Sequence, residues 1–150
     1  MAEKIISLNR KAGFNFHLSD KFEAGLVLMG SEVKSLRDGK ANLGDAYGML
    51  HKGELWLVNC HIGEYKAASY TGHEPMRMRK LLVHKRELQR LIGQLQQKGL
   101  SLVPTKMYFK NGRVKIEMAL GAGKKTHDKR DDIKKRETNR EMARVVRKRG

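Results

Sequence analysis

A small closed β-barrel followed by a basic tail is the architecture this 150-residue sequence predicts, and three observations carry the prediction. Short apolar–polar alternations recur along the first 120 residues, as half-buried strands require. The dipeptides Lys52–Gly53 and Asn111–Gly112 supply the positive backbone angles of two-residue hairpin turns. Beyond residue 120 the alternation gives way to a run of charge.

Taken in order, Ile5–Leu8 reads as a short extended start, and "FNFHL" (14–18) alternates like a strand. "EAGLVLMG" (23–30) reads as a central strand ended by glycine. "SEVKSLRDG" (31–39) changes period: Ser31 can cap a helix, Glu32 favours its dipole, Val33 and Leu36 share a face, and Gly39 stops it. That short helix projects Lys34 and Arg37 from one side. "DAYGMLHKGELWLVNCHI" (45–62) is two strands around the Lys52–Gly53 turn, with Trp56 as core or a barrel-end plug in preference to a base-stacking platform. The long loop of residues 65–80 ends in Arg77, Arg79 and Lys80, whose alternation with Met predicts a basic stripe along one side. From Lys85 to Lys98, Leu88, Leu91, Ile92 and Leu95 recur at helical spacing, and Gly99 follows as a stop. "LSLVPTKMYFK" and "VKIEMAL" then flank Asn111–Gly112; Val114, Ile116, Met118 and Leu120 alternate with a largely charged face. About six antiparallel strands with two or three helices, one closing an end, fit a mainly β, OB-type closed barrel better than a parallel α/β sheet.

Charge narrows the function. Lys and Arg outnumber Asp and Glu by 32 to 16, a net +16. Residues 121–150 hold twelve Lys/Arg and five Asp/Glu, a surplus of 7, which leaves +9 on the first 120. Two basic surfaces suggest one polyanionic partner touched in two places, and nucleic acid is the polyanion favoured. Membrane is the weaker reading: the longest near-apolar stretch, residues 24–30, is far short of the roughly 20 residues a spanning helix needs. Glu3 and Lys4 interrupt any signal-peptide start, so a cytoplasmic protein is expected. The single Cys60 has no internal disulfide partner and suits a buried thiol.

Nothing in the pattern builds a catalytic or metal centre. Six histidines offer no HExxH, and adjacent Cys60 and His61 point to opposite faces of a strand. No phosphate-cradling Gly-rich loop or nucleophile elbow occurs. His127–Asp128 could be drawn as a base with its orienting acid, but a tail lacks the core that fixes such geometry. No enzyme activity, metal or cofactor is expected. A general RNA-binding OB module stays open on these residues alone.

Longer stretches carry a resemblance. "LNRKA" (8–12), "FEAGLVLMGSEVKSLRDGKANLGDAY" (22–47), "HIGEY" (61–65), "HEPMRMRKLLVHKREL" (73–88), "GLSLVPTKMYFKNGRVKIEMAL" (99–120) and "GKKTHDKRDDIKKRE" (123–137) together resemble the small protein B family, the SsrA-binding proteins of bacterial trans-translation. The likeness runs in order over nearly the whole chain. Departures are slight: Gly72 stands where the family often has Asn before His-x-Pro, and Ala122 where a basic residue is common before Gly123.

The resemblance implies a monomeric, non-enzymatic protein that binds the tRNA-like domain of transfer-messenger RNA and brings it to the empty A site of a stalled ribosome. It implies an RNA-binding region containing Glu23, Leu82 and His84. The charge argument adds Lys34, Arg37, Arg79 and Lys80 as phosphate contacts, which position RNA without reading sequence. The expected division is an OB-like RNA-binding barrel over residues 1–121 and a tail over 122–150. With few apolar residues and self-repelling charge, the tail is expected to be disordered in the free protein. The resemblance implies that it becomes helical in the ribosome's vacant mRNA channel. There His127 would stack on a decoding-centre base and Lys124, Lys125, Lys129, Arg130 and Lys134 would meet phosphate, with Asp128 and Ile133 in the same stretch. The i,i+4 pairs Asp131–Lys135 and Asp132–Arg136 bias such a helix by roughly 0.2–0.5 kcal/mol each.

Overall fold

The computed structural model describes residues 3–64, 73–96 and 99–123. Its elements are β1 (Lys4–Leu8), α1 (Arg10–Asn15), β2 (Phe16–Leu26), α2 (Gly30–Arg37), β3 (Ala41–Asn42), β4 (Tyr47–His51), β5 (Glu54–Val58), β6 (His61–Ile62), β7 (Arg79–Leu82), α3 (Lys85–Leu95), β8 (Leu100–Lys110) and β9 (Arg113–Gly123). Six strands close a ring in the order β8-β4-β5-β7-β2-β9, with β9 returning to β8. Every pairing is antiparallel. Closure gives every ring strand a hydrogen-bonded neighbour on both sides, which the two end strands of an open sheet lack. β1 lies beside β8 at Lys106–Phe109, and β3 pairs with β6 in a separate two-stranded ladder.

Period-2 patterning decides what fills the barrel. Val114, Ile116, Met118 and Leu120 of β9 turn inward, none more than 8% exposed, against Leu55, Leu57, Leu81, Leu102 and Met107. Both turn dipeptides behave as the sequence predicts. Lys52 and Gly53 have φ of 52° and 75°, and Asn111 and Gly112 have 53° and 76°. Two consecutive positive angles are the type I′ geometry whose twist matches paired strands. Gly48 serves a different need: it faces Leu102 across β4 and β8, and a Cβ there would lie 2.4 Å from the Leu102 Cδ2.

Several local expectations are corrected. "FNFHL" does not start as strand, because Phe14 and Asn15 complete α1 and extended backbone begins at Phe16. Asn9 explains the extra helix. Its backbone N–H donates to the Thr105 carbonyl at 2.8 Å, and its amide donates to the carbonyls of Pro104 and Leu43 at 2.8 and 3.1 Å. These bonds turn the chain sharply after β1, and Thr105 is available because β8 bulges between Pro104 and Lys106. The strand expected over 23–30 ends at Leu26 and, in a closed ring, is no more central than its neighbours. Ser31 is not the helix cap: α2 starts at Gly30, and Glu32 accepts the Met29 backbone N–H at 2.8 Å. The helix expected to reach Lys98 ends at Leu95, ahead of Gly99 with φ +83°. Trp56 alternates with buried Leu55 and Leu57, so it lies half-buried on the outside of the barrel, neither core nor plug.

Candidate nucleic-acid interface

Backbone register lines up a row of side chains across four ring strands. Tyr108 of β8 pairs with Lys115 of β9, Lys115 with Gly25 of β2, and Gly25 with Leu82 of β7. One pleat away, Lys106 pairs with Glu117 and Glu117 with Glu23. All of these alternate with inward core residues and therefore cover the outer face. Gly25 leaves a low floor in that row, with Leu82 and the Lys115 ammonium on either side of the space a Cβ would take.

Around that floor is an open cleft of about 640 Å³, bounded by Phe22, Glu23, Leu82, Val83, His84, Arg86, Glu87 and Lys115. Three residues singled out from the sequence, Glu23, Leu82 and His84, thus meet in one place although they lie on β2, on β7 and at the start of α3. Leu82 is half exposed, and exposed His84 occupies the N-cap position of α3, its carbonyl accepting the Leu88 N–H at 2.9 Å. A neighbouring cleft of about 300 Å³ shares Gly25, Leu82 and Lys115 and extends to Val33 of α2 and Arg113. A separate cavity of about 580 Å³ beside α1 and β4 touches none of the predicted residues.

Glu23 is anchored from β8. The Tyr108 hydroxyl donates to its Oε2 at 2.5 Å, and the Lys110 ammonium lies 3.3 Å from the same oxygen. The tyrosine bond, with Lys110 and Lys115 adding to it against partial burial, holds the carboxyl below its usual range. The Tyr108 phenol is driven upward in turn, first by burial and then by the carboxylate. Lys106 sits 5.2 Å above the Tyr108 ring and 3.7 Å from Glu3. Tyr108, Lys110 and Lys115 are not among the site residues the sequence predicts. The alternation in β9 already marked Lys115 as outward, but nothing in the chain order ties Tyr108 to Glu23.

Arg79 requires correction. In an extended segment consecutive residues face opposite ways, so Arg79 cannot share a face with Lys80. Arg79 is fully buried: its Nε donates to Glu32 Oε2 at 2.5 Å, and its guanidinium reaches the carbonyls of Cys60 at 2.5 Å and Pro75 at 3.1 Å. Arg77 pairs with the other Glu32 oxygen. Burial alone would raise the Glu32 pKa, but Arg77, the Met29 N–H and Arg79 together bring it below the usual value. Arg77 and Arg79 therefore clamp α2 to the start of β7, and buried Arg79 is no phosphate contact. His73 reinforces it: its Nε2–H donates to the Ile62 carbonyl, and its Nδ1 accepts from Ser31, both at 2.9 Å. Lys80 does face outward, 3.2 Å from Glu54. Lys34 and Arg37 are exposed on α2, one turn apart.

Cys60 is buried, and burial raises its thiol to about 11, the state of an unreactive packing residue. Among the described residues no three His, Cys, Asp or Glu side chains gather as a metal site needs, and no helix is long and apolar enough to cross a membrane. Lys124, Lys125, His127, Asp128, Lys129, Arg130, Ile133 and Lys134 lie outside the described residues.

Comparison with known proteins places the chain in a family. The family model for SmpB protein matches residues 6–148. The SsrA-binding protein of Koribacter versatilis is 54% identical over 144 residues, covering 96% of this chain and 82% of that one. That of Geobacter sulfurreducens is 50% identical over 147 residues, covering 98% and 96%. A solved chain described as "tmRNA-SmpB: a journey to the center of the bacterial ribosome" superposes with a TM-score of 0.67 at 45% identity, over 80% of this chain and 85% of that one. With the family model spanning nearly its whole length and relatives at half identity end to end, this chain belongs to the SmpB family of SsrA-binding proteins.

Proposed function

We propose that this chain binds the tRNA-like domain of SsrA, the transfer-messenger RNA, and acts with it in trans-translation, delivering it to the A site of stalled ribosomes in the cytoplasm. Membership of the SmpB family supports the reading. So does the single most telling observation, the meeting of Glu23, Leu82 and His84 at one cleft rimmed by Arg86 and Lys115. A cleft with exposed apolar Leu82, the carboxylates Glu23 and Glu87 as acceptors and the cations Arg86 and Lys115 suits an unstacked base with its flanking phosphates. Lys34, Arg37 and Lys80 extend the positive surface and hold phosphate without reading sequence. The protein makes and breaks no covalent bond in this role.

The barrel, residues 1–121, is the RNA-binding part in this reading, and residues 122–150 address the ribosome. Lys124, Lys125, Lys129, Arg130 and Lys134 meet rRNA phosphate in the vacant mRNA channel, and His127 stacks at the decoding centre beside Asp128 and Ile133. Binding of the full chain to the tRNA-like domain, with excess ordinary tRNA as competitor at about physiological salt, tests the first half. Tight, competitor-resistant binding is expected. A complex swept away by ordinary tRNA would replace this reading with a general RNA-binding module. Alanine substitutions at Asp128, Lys129 and Arg130 should leave that binding intact and abolish tagging of stalled chains; equal loss of both would overturn the division.

A further inference from the structure

An acidic residue at the centre of an RNA cleft is unexpected in a chain of net charge +16, because electrostatics alone places carboxylates away from phosphate. Glu23 contributes directly there by accepting a hydrogen bond from an RNA donor, a base N–H or a 2′-hydroxyl. That task makes two demands: the carboxyl must stay ionised beside the polyanion, and one oxygen must be aimed at the ligand. Both are met from β8. Tyr108, only 3% exposed and held by β1 and β9 on either side, has its ring fixed, and its hydroxyl at 2.5 Å and Lys110 at 3.3 Å both engage Oε2. Among the described residues both of these bonds fall on Oε2, and Glu23 borders the cleft.

Building on the RNA-binding reading above, we propose that Tyr108 is a positioning residue for RNA recognition, its hydroxyl fixing Glu23 as an ionised acceptor for an N–H or 2′-hydroxyl donor of the bound RNA. Tyr108 itself touches no RNA, since Lys106 lies over its ring and its hydroxyl is spent on Glu23. Other charged or titratable groups around the pair are Lys115 and Glu117 from β9, His84, Arg86 and Glu87 from the α3 side, and Glu3 before β1. The cations oppose and the acids favour protonation of Glu23, and Tyr108 makes the largest contribution toward the ionised form.

The experiment titrates the full-length protein with the isolated tRNA-like domain of transfer-messenger RNA, as a function of pH and of salt. The proteins are wild type, Tyr108→Phe, Glu23→Gln, Lys110→Gln and the Tyr108→Phe/Glu23→Gln double variant. Tyr108→Phe should weaken binding roughly tenfold, the size of one hydrogen bond to a charged group. Its affinity should start to fall at higher pH than the wild type's as the solution is acidified, because Glu23 now protonates more readily. The slope of log affinity against log salt should stay the same, since no phosphate contact is lost. Glu23→Gln should weaken binding although it removes a negative charge, and the double variant should be no weaker than Glu23→Gln. Lys110→Gln should give a smaller loss and keeps the test open if Tyr108→Phe is misfolded by circular dichroism. Wild-type affinity in Tyr108→Phe, an unmoved acid limb, losses that multiply in the double variant, or a changed salt slope would each overturn the proposal. Failure of the wild type itself to prefer this RNA over ordinary tRNA would instead overturn the reading on which it rests.

Discussion

Glu32→Leu isolates the clamp between α2 and β7. Glu32 is completely buried and binds two guanidinium groups and one backbone N–H. Removing it leaves the Arg79 cation at 0% exposure with only backbone carbonyls around it. Taking one partner from a buried ion pair costs about 3–5 kcal/mol. With an m-value near 1.5 kcal/mol/M for a small domain in urea, the unfolding midpoint should fall by roughly 2–3 M. Arg79→Met should cost less, because Glu32 keeps Arg77 and the Met29 N–H. The double variant, which buries no unmatched charge, should be more stable than Glu32→Leu alone. Urea unfolding followed by Trp56 fluorescence reads all three. A loss below about 1 kcal/mol for Glu32→Leu, or a larger loss for Arg79→Met, would refute the view that an unpaired buried cation sets the penalty.

The same carboxylate sets an acid limb of stability. Its folded-state pKa lies below the unfolded value, so its contribution is present above the ordinary carboxylate pKa and is lost as pH falls through the folded one; urea midpoints between about pH 5 and 3 should drop less steeply in Glu32→Gln than in wild type. Gly48→Ala places a Cβ against the Leu102 Cδ2, Cγ and Cβ, at 2.4, 2.8 and 3.0 Å, and should destabilise by about 1–3 kcal/mol, with Leu102→Ala restoring part of that on the Gly48→Ala background. Gly112→Ala forces an L side chain to φ +76° at the β8–β9 turn, and a loss of about 1 kcal/mol in thermal unfolding is expected. Lys115→Ala should reduce the magnitude of the RNA-binding salt slope by about 0.7–0.9, and an unchanged slope would remove Lys115 from the phosphate contacts.

Elements whose signal is local could be read from the chain. Asn111–Gly112 and the Val114–Leu120 alternation specify their hairpin without help from distant residues, and Leu88, Leu91 and Leu95 specify the packed face of α3. What the sequence concealed depends on contacts far along the chain. α1 exists because Asn9 binds Leu43, Pro104 and Thr105, residues 34 or more positions away. Arg79 reads as a surface cation in the sequence because its buried partner, Glu32, is 47 residues earlier and by itself signals only a helix dipole. Glu23, Leu82 and His84 came from the family resemblance rather than from pattern, whereas Tyr108 is joined to Glu23 across 85 residues by ring closure alone.

Ring closure also fixes distances on the outer surface. The row from Tyr108 through Lys115 and Gly25 to Leu82 crosses three of the ring's six interstrand gaps, a path of about 14 Å along the curved surface set by backbone hydrogen bonds and not by any side chain. Such a row works as a gauge with a constant pitch. Side chains along it can be exchanged one at a time without shifting their neighbours, so recognition can be retuned residue by residue while the spacing demanded of the ligand stays the same. A pre-folded RNA whose groups already sit at that pitch meets the demand at once, whereas a flexible strand must first give up conformational freedom to adopt it.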